Sequence, residues 1–244
     1  MATAKDLIVR PIKSADAIAF VRRHHYSGKV AQNSQLHLGV FLHDRLHGVM
    51  QFGPSLDKRK MLGLVAGTQW HEFLELNRMA FDEVLPRNSE SRALSVAWRL
   101  IKKHAPQVKW VVSFADGTQC GDGTIYRAAG FVLTALQKNK TLLRLPDGSV
   151  TADKTLQNPN HAITGKNASW WKKNGAHPLE GFQLRYIYFL DPSYRARLTV
   201  PILPYTEIKK RGATMYRGER PAGGQGETDN AAGSSQQIGG ASPT

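Results

Sequence analysis

The chain has 244 residues, of which 41% are hydrophobic and 21% are charged, a balance that excludes a largely disordered protein. Its apolar runs are too short to cross a bilayer and its first residues lack a secretory leader, so we expect a cytoplasmic protein with no membrane contact. Lysine and arginine number 33 against 19 acidic residues, and the net charge of +14 favours a polyanionic partner, nucleic acid before an anionic membrane. A solvated basic surface without such a partner is the alternative interpretation.

The first part of the chain reads as a strand, a helix and a hairpin. Apolar periodicity predicts a strand over residues 6–12, a helix over 14–24 and a hairpin over 36–52. Residues 53–70 are rich in glycine and basic residues, which predicts a connecting loop or an irregular strand.

The second part alternates strands and helices. A long helix over residues 89–104 is predicted because apolar residues recur every three or four positions and Pro106 follows. The other predicted elements are strands over 74–81, 108–114, 131–136 and 183–190 and a short helix over 124–129. Few aliphatic residues occur between about 147 and 177, so we predict an inserted surface loop there.

The end of the chain differs in composition from the rest. From residue 218 onwards Gly, Ser, Ala and Gln dominate, and they offer too little apolar surface to offset the entropy lost on ordering. We therefore predict one catalytic domain over residues 1–217 and a disordered tail over 218–244. The single cysteine, Cys120, excludes an internal disulfide and fits a reducing compartment.

The order of elements over residues 74–136 predicts where a site lies. This order is strand, helix, strand, short helix, strand. It forms a right-handed βαβ crossover with a second one attached. Such sheets bind ligands at the carboxyl ends of their strands. The side chains expected at these ends are Asn77, Arg78, Ser113 and Asp116, joined by Ser91 from the long helix and Tyr126 from the short helix.

These motifs resemble the core of the GNAT acyltransferase superfamily. The matching segments are 74–81, 86–92, 112–116 and 123–126, and together with His24, His25 and Tyr26 they are similar to the Mom proteins of phage Mu and its relatives. The resemblance spans residues 24–136, about half of the chain. It implies an α/β fold with a mixed central β-sheet flanked by helices. It also implies a transferase that converts the 6-amino group of adenine in phage DNA to a carbamoylmethyl adduct, which shields that DNA from restriction enzymes.

The resemblance further implies an active site. The matching positions are His25, Tyr26, Arg78, Ser91, Asp116 and Tyr126. In the superfamily the tyrosine at the position of Tyr126 protonates a leaving thiolate, and Asp116 is a candidate base. The superfamily implies acetyl-CoA and the family implies iron, with no metal ligand assigned. A glutamate in the first turn of the long helix, Glu90, would repel a pyrophosphate, so the group donor stays open.

Modification of adenine within DNA places demands on the site. The lone pair of the amine is delocalised into the ring, so a general base of the enzyme has to remove a proton from the amine. The adenine itself has to be extruded from the duplex or caught in locally opened DNA. The candidate DNA-binding residues are Asn77, Ser113, Trp170, Trp171, Lys172 and Lys173. Indoles stack on bases and lysines bind phosphates, although two tryptophans in a loop fold back onto a sheet equally often.

Two other functions fit the same sequence. One is a CoA-dependent N-acyltransferase that acts on a protein or a small amine, and the other is a non-enzymatic nucleic-acid-binding module. His37, His43 and His47 cluster on the hairpin, but their spacing does not favour a metal site. Cys120 has no basic neighbour in the sequence, so we expect it to be incidental.

Overall fold

The computed structural model describes residues 2–157 and 166–220. Its strands are β1 (Ile8–Pro11), β2 (Leu36–Leu42), β3 (Arg45–Gly53), β4 (Phe73–Phe81), β5 (Trp110–Gly117), β6 (Val132–Lys138), β7 (Leu142–Arg144), β8 (Val150–Ala152), β9 (His177–Pro178) and β10 (Phe182–Phe189). Its helices are α1 (Ser14–His24), α2 (Lys58–Leu62), α3 (Ser89–His104), α4 (Thr124–Ala128), α5 (Asp153–Gln157), α6 (Ala168–Lys173) and α7 (Thr206–Lys210). None of the helices in these ranges is both long and apolar enough to cross a bilayer.

Seven strands form the central sheet, in the order β1-β2-β3-β4-β5-β10-β6. Within it β4 and β5 pair in parallel, and the other neighbouring strands run antiparallel. The predicted mixed sheet flanked by helices is therefore confirmed. β10 lies between β5 and β6, so the second predicted crossover joins strands that point the same way without being neighbours.

Helices cover the two faces of this sheet in different ways. On one face the long helix α3 buries Ala93, Leu94, Ala97, Trp98 and Ile101 in the main core, and α4 packs beside it. We call this the α3 face. On the opposite face α1 packs through Phe20 and Val21 at one end, and α2 with the following turn packs through Met61 and Val65 at the other. We call this the α1 face.

Two predicted loops are folded in the structure, and both predictions are corrected. Residues 53–70 contain α2, which begins where the Asp57 carboxylate accepts the Lys60 backbone N–H and which buries Met61. The described parts of the segment around 147–177 belong to a small three-stranded sheet, β8-β7-β9, and to α5 and α6. Its own apolar cluster consists of Leu143, Leu145, Leu156, Ala168 and Ala176. Strands of two or three residues are too short to show an alternating pattern, which is why sequence periodicity missed them.

The boundary of the predicted tail also moves. Tyr216 and Glu219 form an isolated β-bridge, and the Gly218 N–H donates to the Cys120 carbonyl at 2.6 Å. Arg220 forms an ion pair with Glu180. Residues 218–220, which composition assigned to the tail, thus pack on the domain because their backbone groups are satisfied there. The rest of that predicted tail lies outside the described residues.

Candidate functional site

The site lies where β4 and β5 separate. The two strands pair from Phe73 to Glu75 on β4 and from Trp110 to Val112 on β5, and beyond that point the ladder stops. The Ser113 hydroxyl then donates to the Leu76 carbonyl at 3.4 Å, a weak contact across the widening seam. Side chains from both faces of the sheet can therefore approach one another at this opening.

A β-bulge on β4 sets the direction of the side chains at this opening. Gln51 on β3 pairs with Arg78 and Phe52 pairs with Leu76, so Asn77 is the extra residue. A bulge of this kind bends the strand and redirects the side chains that follow it. Asn77 is buried, and its side-chain oxygen accepts a hydrogen bond from Ser34, so it holds the bulge in place rather than facing solvent.

The closest contact among the predicted catalytic residues joins Tyr26 to Asp116. The Tyr26 hydroxyl donates to the Asp116 carboxylate at 3.1 Å, across 90 residues of sequence. Tyr26 as a whole residue is half exposed. Burial of the hydroxyl end, then the charge of Asp116, raise the pKa of Tyr26 well above its usual range.

Asp116 has more hydrogen-bond donors than a carboxylate has lone pairs. Thr118 donates through its backbone N–H and its hydroxyl, Gln119 donates at 3.2 Å and Gln183 at 2.9 Å, in addition to Tyr26. Two carboxylate oxygens offer about four acceptor sites. Asp116 is therefore fixed in position, and it gains a free lone pair only when one of its donors leaves or gives up its proton.

His25 sits beside this pair as a neutral donor. Burial, followed by the nearby Arg78 charge, lowers the pKa of His25 to about 4, while Asp116 opposes that change. The Ser27 backbone N–H donates to the His25 Nδ1 at 3.2 Å, so in the neutral ring the proton lies on Nε2. His24, the other half of the histidine pair, instead stacks on Phe20 of the same helix.

Arg78 is anchored at the bulge. Its Nε donates to the Lys29 carbonyl at 2.9 Å and its Nη1 to the Asn77 carbonyl at 2.6 Å. Lys29 in turn donates through Nζ to the Val150 carbonyl of the small sheet at 3.2 Å. Arg78 therefore brings a positive charge to the seam, and Lys29 connects the site to the small sheet.

Tyr126 lies on the other face of the sheet from Asp116. Along β5, Ser113 and Ala115 point to the α3 face, whereas Phe114 and Asp116 point to the α1 face. Burial raises the pKa of the Tyr126 phenol to about 12, and the nearby Ser113 hydroxyl opposes that change. The phenol that contacts Asp116 in the described structure is therefore that of Tyr26 and not that of Tyr126.

Glycine at position 123 places the helix that carries Tyr126. Gly123 precedes α4 with φ 84°, and a Cβ there would lie 2.4 Å from the Tyr186 ring. The Tyr126 ring rests between Tyr186 and Phe131, with centroid distances of 5.3 and 5.1 Å. Tyr186 is itself fully buried. The Tyr126 ring is therefore held by packing on both sides.

Ser91 is not joined to this group by any contact among the described residues. Its hydroxyl donates to the Asn88 carbonyl at 3.1 Å in the first turn of α3. Ser89 does the same to the Pro86 carbonyl, so both hydroxyls close the helix start rather than face outwards. With Glu90 in the same turn, this helix start does not fit the pyrophosphate of an acyl-CoA.

Four of the six predicted DNA contacts lie on α6, beside the small sheet, and they divide into two kinds. Trp171 packs against the local apolar cluster and Lys172 pairs with Asp153 at 2.9 Å, so both stabilise this unit. Trp170 is exposed, with the Lys166 ammonium 3.7 Å from its ring centroid, and Lys173 is exposed as well. Trp170 and Lys173 are therefore the two that remain accessible to a partner.

Several residues near the seam were missed from the sequence. Gln183, Gln119 and Thr118 all donate to Asp116, and Gln183 could be found only through the pairing of β10 with β5. Cys120 is partly buried, and burial followed by the charge of Asp116 raises the pKa of its thiol, so the thiolate is disfavoured. Glu75 is partly buried at the last paired position of β4, and burial raises the pKa of its carboxyl although Ser55, Asn77 and Arg78 oppose this.

The described residues contain no set of side chains that could ligate iron. No group of three or more His, Cys, Asp or Glu side chains there is arranged to hold a metal ion. His37, which we considered on the hairpin, hydrogen-bonds through its ring to Gln51 at 3.1 Å. The ring nitrogen of His47 lies 2.7 Å from Asp82. The side chains of residues 2–157 and 166–220 therefore do not fit an iron centre.

Comparison with known proteins gives one family and one curated relative. Residues 6–207 match the model of the Mom protein family. The chain is 35% identical over 202 residues to the protein named methylcarbamoylase mom of Escherichia phage Mu, with 82% of this chain and 82% of the relative aligned. The range matched by the family model contains Tyr26, Asp116 and Tyr126.

The solved structures that align with this chain include acetyltransferases of low sequence identity. A GNAT superfamily phosphinothricin acetyltransferase from Sinorhizobium meliloti aligns with a TM-score of 0.45 at 10% identity, over 82% of this chain and 97% of that chain. A spermidine/spermine N-acetyltransferase from Vibrio cholerae aligns with a TM-score of 0.44 at 8% identity, over 80% and 99%.

Proposed function

The chain belongs to the Mom protein family, and from this we propose that it is a transferase that adds a carbamoylmethyl-type group to the 6-amino group of adenine in DNA. The name of the phage Mu relative, methylcarbamoylase, supports the reaction type. The observation that carries the proposal is the Tyr26–Asp116 contact, a proton donor and acceptor at an open seam of the sheet. In a phage such a modification shields the DNA from restriction enzymes.

We propose that Tyr26 receives the proton of the amino group. Asp116 has no free lone pair while Tyr26 donates to it, so the Tyr26 proton has to move onto Asp116 as the substrate proton moves onto Tyr26. The raised pKa of Tyr26 disfavours a free phenolate, so the two transfers occur together. His25, neutral and protonated on Nε2, donates a hydrogen bond to the substrate.

We propose that Tyr126 protonates the leaving group from the α3 face. Its pKa of about 12 keeps the phenol protonated at neutral pH, as a general acid requires. The nitrogen of adenine forms a bond to the methylene carbon of the donor, and the bond from that carbon to the leaving group breaks with its electron pair. The nucleophile and the leaving group would then lie on opposite sides of the reacting carbon, reached through the seam between β4 and β5.

The DNA partner follows from charge and from the relative. The net charge of +14 attracts a polyanion, and double-stranded or locally opened DNA in the host cytoplasm is the proposed substrate. Arg78 stands at the seam, and Lys29, which it contacts, donates to the Val150 carbonyl of the small sheet. We propose that the chain up to residue 220 acts as one catalytic domain, in which the small sheet holds the strand, and that the residues after 220 form a tail.

Expression in a bacterium tests this proposal. The chain is produced, the host DNA is digested to nucleosides, and the adenine adduct is measured by mass spectrometry. We expect a modified adenine with the parent chain and none with a variant that carries Tyr26→Phe and Tyr126→Phe together. Unmodified DNA despite strong expression of folded protein would contradict the proposal. Calorimetric binding of an acyl-CoA would then favour an N-acyltransferase, and DNA binding alone would favour a binding module.

A further inference from the structure

Phe114 is an aromatic residue in the middle of the central sheet that the core leaves uncovered. It lies on β5, where Trp110 to Ser113 and Ala115 are buried, yet 41% of its own surface is exposed in the described structure. Central strands are normally covered on both faces, and they place large apolar side chains in a core. An exposed ring at this position therefore needs a reason other than folding.

The helices on the α1 face stop on either side of this ring. At one end Met61 and Val65 pack on Val112, two residues before Phe114. At the other end α1 packs on Val49 and Ala80 of β3 and β4. Phe114 belongs to neither cluster. Among the described residues a strip of sheet is left uncovered between them, and it ends at the Tyr26–Asp116 contact.

Positive charges border this strip. Arg185 on β10 is the direct pairing partner of Phe114, and its guanidinium donates to the Thr134 hydroxyl at 3.0 Å and carbonyl at 3.2 Å. Arg78 stands on the other side, at the bulge of β4. A flat apolar floor between two guanidinium groups is complementary to a nucleotide, which presents an aromatic base and an anionic phosphate.

We propose that Phe114 is the surface on which the extruded adenine stacks. The proposal rests on the proposed function and adds the site that receives the base. Residues two apart on one strand face are separated by about 7 Å, so a purine lying on Phe114 directs its exocyclic amine towards Asp116 and Tyr26. Stacking alone accepts any base, so the choice of adenine belongs to the polar groups at the end of the strip.

Binding of single strands to the purified full chain tests the stacking. The probes are an oligodeoxyadenylate and an abasic strand of equal length, because the second keeps the phosphates and lacks the bases. Phe114→Leu is expected to weaken binding of the adenine strand about 5- to 150-fold and to leave binding of the abasic strand unchanged. Phe114→Tyr, which keeps the ring, retains the affinity of the parent.

Trp70→Leu is the matched control, because Trp70 is an exposed aromatic residue, at 64%, away from the strip. It is expected to bind both strands as the parent does. Equal affinity of Phe114→Leu and the parent for the adenine strand would overturn the proposal, and so would an equal loss on both strands. An altered oligomeric state with unchanged base preference would assign the strip to contacts between copies.

A cellular measurement separates this proposal from the proposed function. If the parent chain produces no modified adenine, the proposed function fails whatever Phe114 binds. If the parent modifies DNA and Phe114→Leu does so equally well, the stacking role alone is wrong. The thermal unfolding of each variant shows that the exposed substitution leaves the fold intact.

Discussion

Replacing Tyr26 by phenylalanine removes one oxygen atom from the site and leaves the ring in place. A hydrogen bond to a charged acceptor contributes about 1.5–3 kcal/mol to stability in general. Here Tyr26 as a whole residue is half exposed, and Asp116 keeps its other donors, so we expect a loss of about 1 kcal/mol or less in the free energy of unfolding. The fold therefore tolerates the change.

The expected effect on activity is much larger. A positioned general acid or base contributes about 10²- to 10⁴-fold to a rate, which corresponds to about 2.7–5.5 kcal/mol of barrier. We therefore expect Tyr26→Phe to lower the formation of the adenine adduct at least about 100-fold. The assay is a time course of adduct per total adenine after induction, normalised to the amount of soluble protein.

Tyr216→Phe provides the matched control, since Tyr216 is also an exposed tyrosine, at 60%. Its adduct level should equal that of the parent chain. If Tyr26→Phe retains more than about a tenth of the parental rate, the hydroxyl of Tyr26 is not in the proton path. A fall in melting temperature that accounts for the lost activity would also refute the reasoning.

Three further outcomes follow from the same structure. Asp116→Asn turns an NH₂ group towards existing donors, so it should lose activity and also about 2 kcal/mol of unfolding free energy, seen as a fall of about 4–8 °C in melting temperature. The pKa of His25 is lowered to about 4, so the unfolded chain binds the proton more readily than the folded chain does. The free energy of unfolding should therefore fall by about 1–3 kcal/mol as the pH drops from 6.5 to 4. His25→Gln should remove this part of the pH dependence of urea unfolding. Trp171→Ala should cost about 2–4 kcal/mol in denaturant unfolding, whereas Trp170→Ala should cost less than about 1 kcal/mol and instead weaken DNA binding.

The crossover from β4 through α3 to β5 could be predicted because its signals are local. The apolar face of α3 recurs with helical spacing, Pro106 follows its end, and β5 reads as a continuous apolar run. The insertion of β10 between β5 and β6 has no such signal, since it depends on which strand edge a later segment finds. No local pattern in the sequence therefore predicts the hydrogen bond that Gln183 donates to Asp116.

The sequence predicts which residues form the candidate site better than it predicts how they are arranged. The resemblance placed Tyr26 and Asp116 in one group, but nothing local relates residues 90 positions apart. The separation of Asp116 from Tyr126 could have been read from the alternation of β5, because Val112, Phe114 and Asp116 share one parity. The exposure of Phe114 could not have been predicted, since an apolar residue in a central strand is expected to be buried.

The bond from Gly218 to the Cys120 carbonyl has a practical consequence for handling the protein. The chain passes beside the loop after β5 before it reaches Arg220, where it pairs with Glu180. A purification tag joined at this point would begin next to the residues that bind Asp116, and a version shortened to residue 217 would remove a support of that loop. Shortened versions should therefore keep residues 218–220, and tags are better placed at the opposite terminus.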